Sequence, residues 1–395
     1  MDKTSDTNVL PGNPLRVDTA RFGPFTFQIG VDAKVVQTLL LRVGDAHIRF
    51  IGSPLAQVAN QLEREMLVSS IFGTNTIEGG QLSEEETKAA LDLDPEKVQA
   101  VQQRRVLNIR AAYELAQREA SKPNWLLTEE FIREVHRTIC QDLDNAHYQP
   151  GVFRDNTKEQ PTVVGDEAHG GRYKPPQYGG DIRMLMAALV NWHAQLVQAG
   201  LPALVRAPLV HLYFEMIHPF WDGNGRAGRV FEAAILHAEG FRYAPFALAR
   251  YYLDQIDRYF ALFNLCRKQA ERGDPAPNTP FVQFHLEGML SVLHNLHDRA
   301  NRLVNVLLFE AELRNRLERK ELNARQYAIV THVLKNGGPM SMDGLRLAPW
   351  YRALYVRRTD KTKQRDLKRL REQHLLKQDK QGRLWPGFVV IEDSE

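Results

Sequence analysis

The stretch His218 to Arg229, HPFWDGNGRAGR, gathers the side chains of this chain best suited to chemistry. Gly223-Asn224-Gly225 leaves its backbone N–H groups unshielded. Where such a turn opens a helix, the orphan donors and the positive end of the helix dipole form an anion site. Arg226 and Arg229 are three apart and share a helix face. Two guanidinium forks at a helix start suit a polyphosphate better than a single carboxylate. Asp222 beside that site makes sense as a ligand for Mg²⁺, which takes one or two carboxylates plus phosphate oxygens. His218 supplies an imidazole, the side chain best matched to general-base work near neutral pH. Together these groups spell phosphoryl- or nucleotidyl-transfer chemistry. Singly they are weak, since a His before Pro is usually structural and Gly-Asn-Gly is a common turn. Their coincidence at fixed spacing carries the weight.

The flanking elements must place that loop. Ala207 to Ile217 reads as a helix with a buried stripe and Val230 to Leu236 as another, so the motif is a tight helix–helix loop. Helices are also expected over Pro95–Ala120, Thr128–Gln141, Gly180–Gly200 and Leu204–Ile217, with Trp192, His193 and His211 as core or helix-face residues. Arg104, Arg105 and Arg110 read as a solvated face. Another helix runs from Ser53-Pro54, a natural N-cap and first turn, to about Phe72. Gly73 to Gly80 then reads as a turn-rich connector before a capping box at Ser83 and Glu86. Gly and Pro punctuate 150–178 too heavily for helix, and paired short strands fit. Arg250 to Arg267 reads as one long amphipathic helix, and Pro280 to about Glu321 as another, ending in a charged linker run. Near the start, Phe25–Ile29 and His47–Ile51 alternate like short strands, and Asp32–Leu41 is strand or helix.

At 395 residues and 43% hydrophobic, the chain can bury a large core and should hold two or three domains. A net charge of +3 is too mild to name a partner. Cys140 and Cys266 have no second Cys or His at metal spacing and read as reduced core residues of a cytoplasmic protein. His285, His294 and His297 with Glu287 form no tight cluster, so a metal there carries little weight. Neither a signal pattern nor an apolar membrane span is read.

The HPFWDGNGRAGR string resembles, without departure, the HPFx(D/E)GNGRxxR signature of Fic-domain proteins. That resemblance implies transfer of AMP from ATP, with Mg²⁺, onto a hydroxyl side chain of a target protein. It implies that His218 deprotonates the hydroxyl and Asp222 holds Mg²⁺. Gly223, Asn224, Gly225 and Arg226 would cradle the α- and β-phosphates, with Gly228 in the same nucleotide set. Arg229 would hold the γ-phosphate, and Phe220 would pin the loop. Kinase-like relatives carry Lys where Gly225 stands, which favours nucleotidyl transfer. Thr74, Glu78 and Gly79 resemble the family's inhibitory motif (S/T)xxxE(G/N), in the class that places it N-terminal to the catalytic motif. Glu78 would then pair with Arg229 and occupy the fork the γ-phosphate needs. Segment 150–178 resembles the family's flap, a hairpin on which a target adds as an extra strand. Backbone docking leaves the target's identity open. The family's adenine-lining Tyr-Tyr pair becomes Tyr259-Phe260, and Arg267 stands at the expected Asn position, with Asn264 nearby. The likeness spans about Ser53 to Leu313.

The last stretch, 323–395, changes character. Helix, turn, helix, basic helix and hairpin follow in the order of a winged helix-turn-helix. Arg357, Arg358, Lys361, Lys363, Arg365, Lys368, Arg369 and Arg371 stand against Asp360 and Asp366. Lys361, Lys363, Arg365, Lys368 and Arg369 are the candidate DNA contacts, and a packing or dimerisation module fits equally well. The expected plan is mainly α. An extension (1–52) precedes a Fic helical core with a β-hairpin flap (53–313), a linker helix (314–322) and a small winged helix-turn-helix (323–395). The function read is AMP transfer restrained by Glu78, with self-modification and a homodimer among the expected associations. Two alternatives stay open: a DNA-binding regulator whose core senses nucleotide, and removal of AMP at the same site.

Overall fold

The computed structural model describes residues 9–52, 55–143 and 149–390, with backbone only for 55–64. Two compact units emerge, Met1–His297 and Asp298–Glu395.

The first unit opens with an antiparallel hairpin, β1 (Leu15–Asp18) and β2 (Pro24–Phe27), with Leu15 opposite Phe27. Helices α1 (Ala33–Ile51), α2 (Leu55–Ile77), α3 (Glu84–Ala90), α4 (Val101–Ala120) and α5 (Glu129–Cys140) follow. After the flap come α6 (Gly179–Gln198), α7 (Ala203–Ile217) and α8 (Asn224–Ala238). Then α9 (Leu248–Asp254), α10 (Ile256–Glu271) and α11 (Thr279–Glu318) complete the set, α11 carrying the chain into the second unit.

The paired helices α7 and α8 form the centre. Nearly every residue of both is buried, apolar ones for the most part in α7, and in α8 also the polar Asn224, Arg226, Arg229 and Glu232. The β1–β2 turn is tied to α6 by three backbone N–H groups, from Ala20, Arg21 and Phe22, converging on the buried carboxylate of Asp181. Phe27, Trp192 and Tyr213 close the aromatic core beneath it.

Several expectations change. His47–Ile51 is the last turn of α1, not a strand, and Asp32 caps that helix. The partner of β2 is Leu15–Asp18, a four-residue run that alternates apolar and charged residues and lies outside the expected strands. Gly73–Ile77 continues α2 as helix, and Gly79, at φ +76°, ends it. The cap expected at Ser53 lies outside the described residues. Pro95–Lys97 is a separate 3₁₀ turn before α4. Arg250–Arg267 breaks at Gln255 into α9 and α10. In place of a flap hairpin there is irregular chain with one antiparallel bridge, Val164 to Tyr173.

The second unit contains α12 (Ala324–Lys335), α13 (Met342–Leu347), α14 (Pro349–Leu354) and α15 (Asp360–Glu372). The strands β3 (Leu376–Gln378) and β4 (Leu384–Pro386) pair antiparallel. Met340 bridges Leu384 and adds a third line of pairing. Ile329, Val330, Leu345, Tyr351, Leu370 and Leu376 form its core. Among the described residues no helix is long and apolar enough to cross a membrane.

Candidate active site

The catalytic-motif loop is held from three sides. Helix α7 ends at His218, whose left-handed φ of 49° turns the chain. Helix α8 then starts after Gly223, also left-handed at φ +80°. Asn224 closes the turn: its Oδ1 accepts from the Phe220 N–H at 2.9 Å and its Nδ2 donates to the Phe220 carbonyl at 2.9 Å. Its side chain thus builds the loop, leaving only backbone for an anion. Phe220 is fully buried and stacks on the His136 ring at 3.6 Å, which is how it pins the loop.

His136 and Arg154 are the anchors that the sequence reading did not single out as site residues. The Gly151 N–H donates to His136 Nδ1 at 2.9 Å, so Nε2 carries the proton and donates to the Asp222 carbonyl at 2.8 Å. Burial pushes the His136 imidazolium down to about 4, which keeps that neutral tautomer in place. Arg154, also fully buried, donates from Nε to the His218 carbonyl at 2.6 Å and from Nη2 to the Ile217 carbonyl at 3.3 Å. Burial pulls its guanidinium down to about 10.

A cavity of about 320 Å³ opens above this loop. Its walls include His218, Gly225, Arg229 and Glu78, with Phe260, Asn264 and Arg267. His218 keeps 20% of its side chain exposed, with Nδ1 3.4 Å from Glu215 Oε2. Asp222 and Arg226 pair at 3.0 Å; the arginine is buried and the carboxylate 45% exposed.

Glu78, at the end of α2, reaches into the same cavity. Its Oε1 lies 2.7 Å from Arg229 Nη2. It also lies against Gly225, where any Cβ would strike it. Arg229 Nη2 donates to the Thr74 carbonyl at 3.3 Å, and the Thr74 hydroxyl meets Tyr113 OH at 3.1 Å. The motif residues Thr74 and Glu78 therefore converge on one guanidinium. Arg105, read as solvated, instead donates to the Glu78 carbonyl at 3.1 Å. Arg104 and Arg110 are likewise half-buried and donate to the Val98 and Leu91 carbonyls.

Behind Arg229 runs a buried relay. Its Nη1 donates to Tyr259 OH at 3.2 Å. An arginine can only donate, so the hydroxyl accepts from it and is left to donate to His211 Nε2 at 3.1 Å. His211 Nδ1 then faces Glu232 Oε2 at 3.2 Å, and His285 Nδ1 faces Oε1 at 2.9 Å. Burial works against ionisation of Glu232, but the two histidines overcome it and hold the carboxyl at about 2. Burial also opposes the charge of Arg229, yet Tyr259 and Glu78 raise its pKa above the ordinary value.

Gly228 and Tyr259, both expected in the nucleotide set, also make contacts inside the fold. Gly228 faces α7, where a Cβ would meet the His211 ring at 2.8 Å, so its smallness serves helix packing. Tyr259 is 1% exposed and spends its hydroxyl on Arg229 and His211, while its ring lines the cavity together with Phe260, Phe263, Asn264 and Arg267. Asn264 Nδ2 ties α10 to the flap, donating to the Gly171 carbonyl at 2.7 Å. Arg267 pairs with Glu271 at 2.6 Å and lies over the Tyr173 ring.

Residues 126–236 match the family model for the Fic/DOC family. The chain carries a Fic domain. The match covers α5 to α8, whereas Glu78 and Tyr259 lie outside it. Protein adenylyltransferase fic-1 of Caenorhabditis briggsae is 25% identical over 287 residues, 71% of this chain and 50% of that protein. Protein adenylyltransferase Fic of Nematostella vectensis is 28% identical over 223 residues, 55% of this chain and 47% of that protein. The chain thus spans about half the length of these curated relatives. A Fic family protein from Desulfovibrio desulfuricans shares the fold, with a TM-score of 0.54 and 19% identity over 91% of this chain and 97% of that one.

Proposed function

We propose that this Fic-domain protein transfers AMP from ATP to a hydroxyl side chain of a protein, with Glu78 holding the reaction back. The observation that carries the reading is the convergence of His218, the start of α8 and Arg229 on one cavity. In the step itself the target hydroxyl oxygen attacks the α-phosphorus, its proton passes to His218, and the bond to the β-phosphate oxygen breaks to release pyrophosphate. In this reading the Gly225 backbone and Arg229, which line the cavity, meet the phosphates and Arg229 fixes the γ-phosphate, while Arg226 is buried and paired with Asp222.

Asp222 suits Mg²⁺: it is one half-exposed carboxylate beside a phosphate cradle, and Mg²⁺ completes its shell with phosphate oxygens and water. When bound, Mg²⁺ neutralises charge on the leaving pyrophosphate.

Target docking is assigned to 150–178, whose bridged residues Val164 and Tyr173 line the cavity. The chain's own hydroxyls are the first substrates to try, and the free, buried Cys140 and Cys266 suit a cytoplasmic protein. The decisive experiment supplies ATP labelled on either the α- or the γ-phosphate. Label entering protein from the α-position alone supports AMP transfer; label from the γ-position alone would make the protein a kinase.

A further inference from the structure

The geometry points to a binding surface for double-stranded DNA on the second unit, with α15 as the helix that enters the major groove. This goes beyond the transfer reaction and does not depend on it.

The inner face of α15 is committed to the fold. Leu367 and Leu370 join the core. The buried Asp366 accepts from Arg325 Nε at 3.1 Å, Gln326 Nε2 at 3.2 Å and Tyr355 OH at 2.8 Å, locking α15 onto α12. Lys363 is half-buried and bonded to Asp360 at 2.9 Å. The outer face is left to Lys361, Gln364, Arg365 and Lys368, all exposed. The three cations recur at i, i+4 and i+7, one face of a helix. Arg357 and Arg358 extend the exposed positive charge ahead of the helix. Arg369 lies at the edge, with Nη2 3.4 Å from the Glu321 carbonyl. Glu372 lies on that face at the last turn, 3.7 Å from Lys368, and the exposed Asp360 stands one turn before Gln364, paired with Lys363. Residues 298–395 carry 21 Lys and Arg against 13 Asp and Glu, in a chain whose net charge is only +3.

The choice of B-form duplex follows from shape. A helix with cationic and amide side chains on its outer face fits a major groove about 12 Å wide, where Arg, Lys and Gln meet phosphates and base edges. The A-form major groove is too narrow to admit a helix. Single-strand binding relies on stacking aromatics, and α15 contains none. The β3–β4 hairpin follows α15 directly, where a wing would lie.

The test is fluorescence anisotropy of the full chain with a labelled random-sequence DNA duplex across a salt series. Binding should weaken linearly in log salt. The triple variant Lys361→Ala/Arg365→Ala/Lys368→Ala should bind at least tenfold more weakly and lower the slope by about 3. The control Lys34→Ala/Arg42→Ala/Arg49→Ala removes the same charge from exposed positions of α1 and should bind like wild type. The inference is overturned by no binding at low salt, by equal loss in the two triples, or by equal competition from single-stranded DNA or duplex RNA.

Discussion

Arg154 Nε lies 2.6 Å from the carbonyl oxygen of His218, so a buried flap guanidinium holds the residue assigned as general base. Its Nη2 reaches the Ile217 carbonyl as well. Lysine has a single head group and cannot serve both carbonyls and Asn156 from the same fork. Arg154→Lys should therefore cost on the order of 10²-fold in kcat for AMP transfer, through misplacement of His218 by about 1 Å. ATP affinity should change little, because the phosphate cradle is built on α8. Single-turnover kinetics and nucleotide binding on the same variant check the split. Equal losses in binding and turnover would reduce Arg154 to general scaffolding.

Glu232 makes the relay behind Arg229 sensitive to acid. Its carboxyl is held at about 2 in the fold, against 4.5 for the free group, so it contributes stability above 4.5. That contribution fades as pH falls from 4.5 towards 2, and amounts to on the order of 3 kcal/mol. The melting temperature of wild type should fall steeply across that window. Glu232→Gln should start lower at pH 7 and lose less over the same interval. Parallel curves for the two proteins would contradict the assignment.

Arg105 steadies the end of α2 by its bond to the Glu78 carbonyl. Removing one such bond is worth about 1 kcal/mol, or roughly fivefold. Arg105→Ala should raise self-modification by a few-fold while leaving nucleotide contacts intact. Time courses of labelling would show it, and an unchanged rate would separate Arg105 from the restraint.

The contrast between Arg105 and the 218–229 loop explains what could be read in advance. The loop's chemistry needs His, Asp, Gly-Asn-Gly and two arginines on contiguous chain, so spacing alone exposed it. Arg105 looks solvated on its own helix, but its guanidinium donates to the Glu78 carbonyl, 27 residues earlier. Asp181 receives its three N–H partners from about 160 residues away, and Glu232 is flanked by histidines on α7 and α11; no local pattern encodes such meetings. At His47–Ile51, alternation over so short a run fits strand and helix alike, and packing decided for helix. The break at Gln255 has neither Gly nor Pro to announce it. In the flap, Gly and Pro correctly signalled non-helical chain, but they also limit its pairing to a single bridge.

The central claim is that the Glu78–Arg229 pair restrains an AMP transferase whose base is His218. Its most direct test is intact-protein mass after incubation with Mg²⁺ and ATP, for wild type, Glu78→Gly and Glu78→Gly/His218→Ala. The account predicts a small AMP adduct on wild type, at least tenfold more on Glu78→Gly, and none on the double variant. An adduct equal in wild type and Glu78→Gly, or one that survives loss of His218, would contradict it.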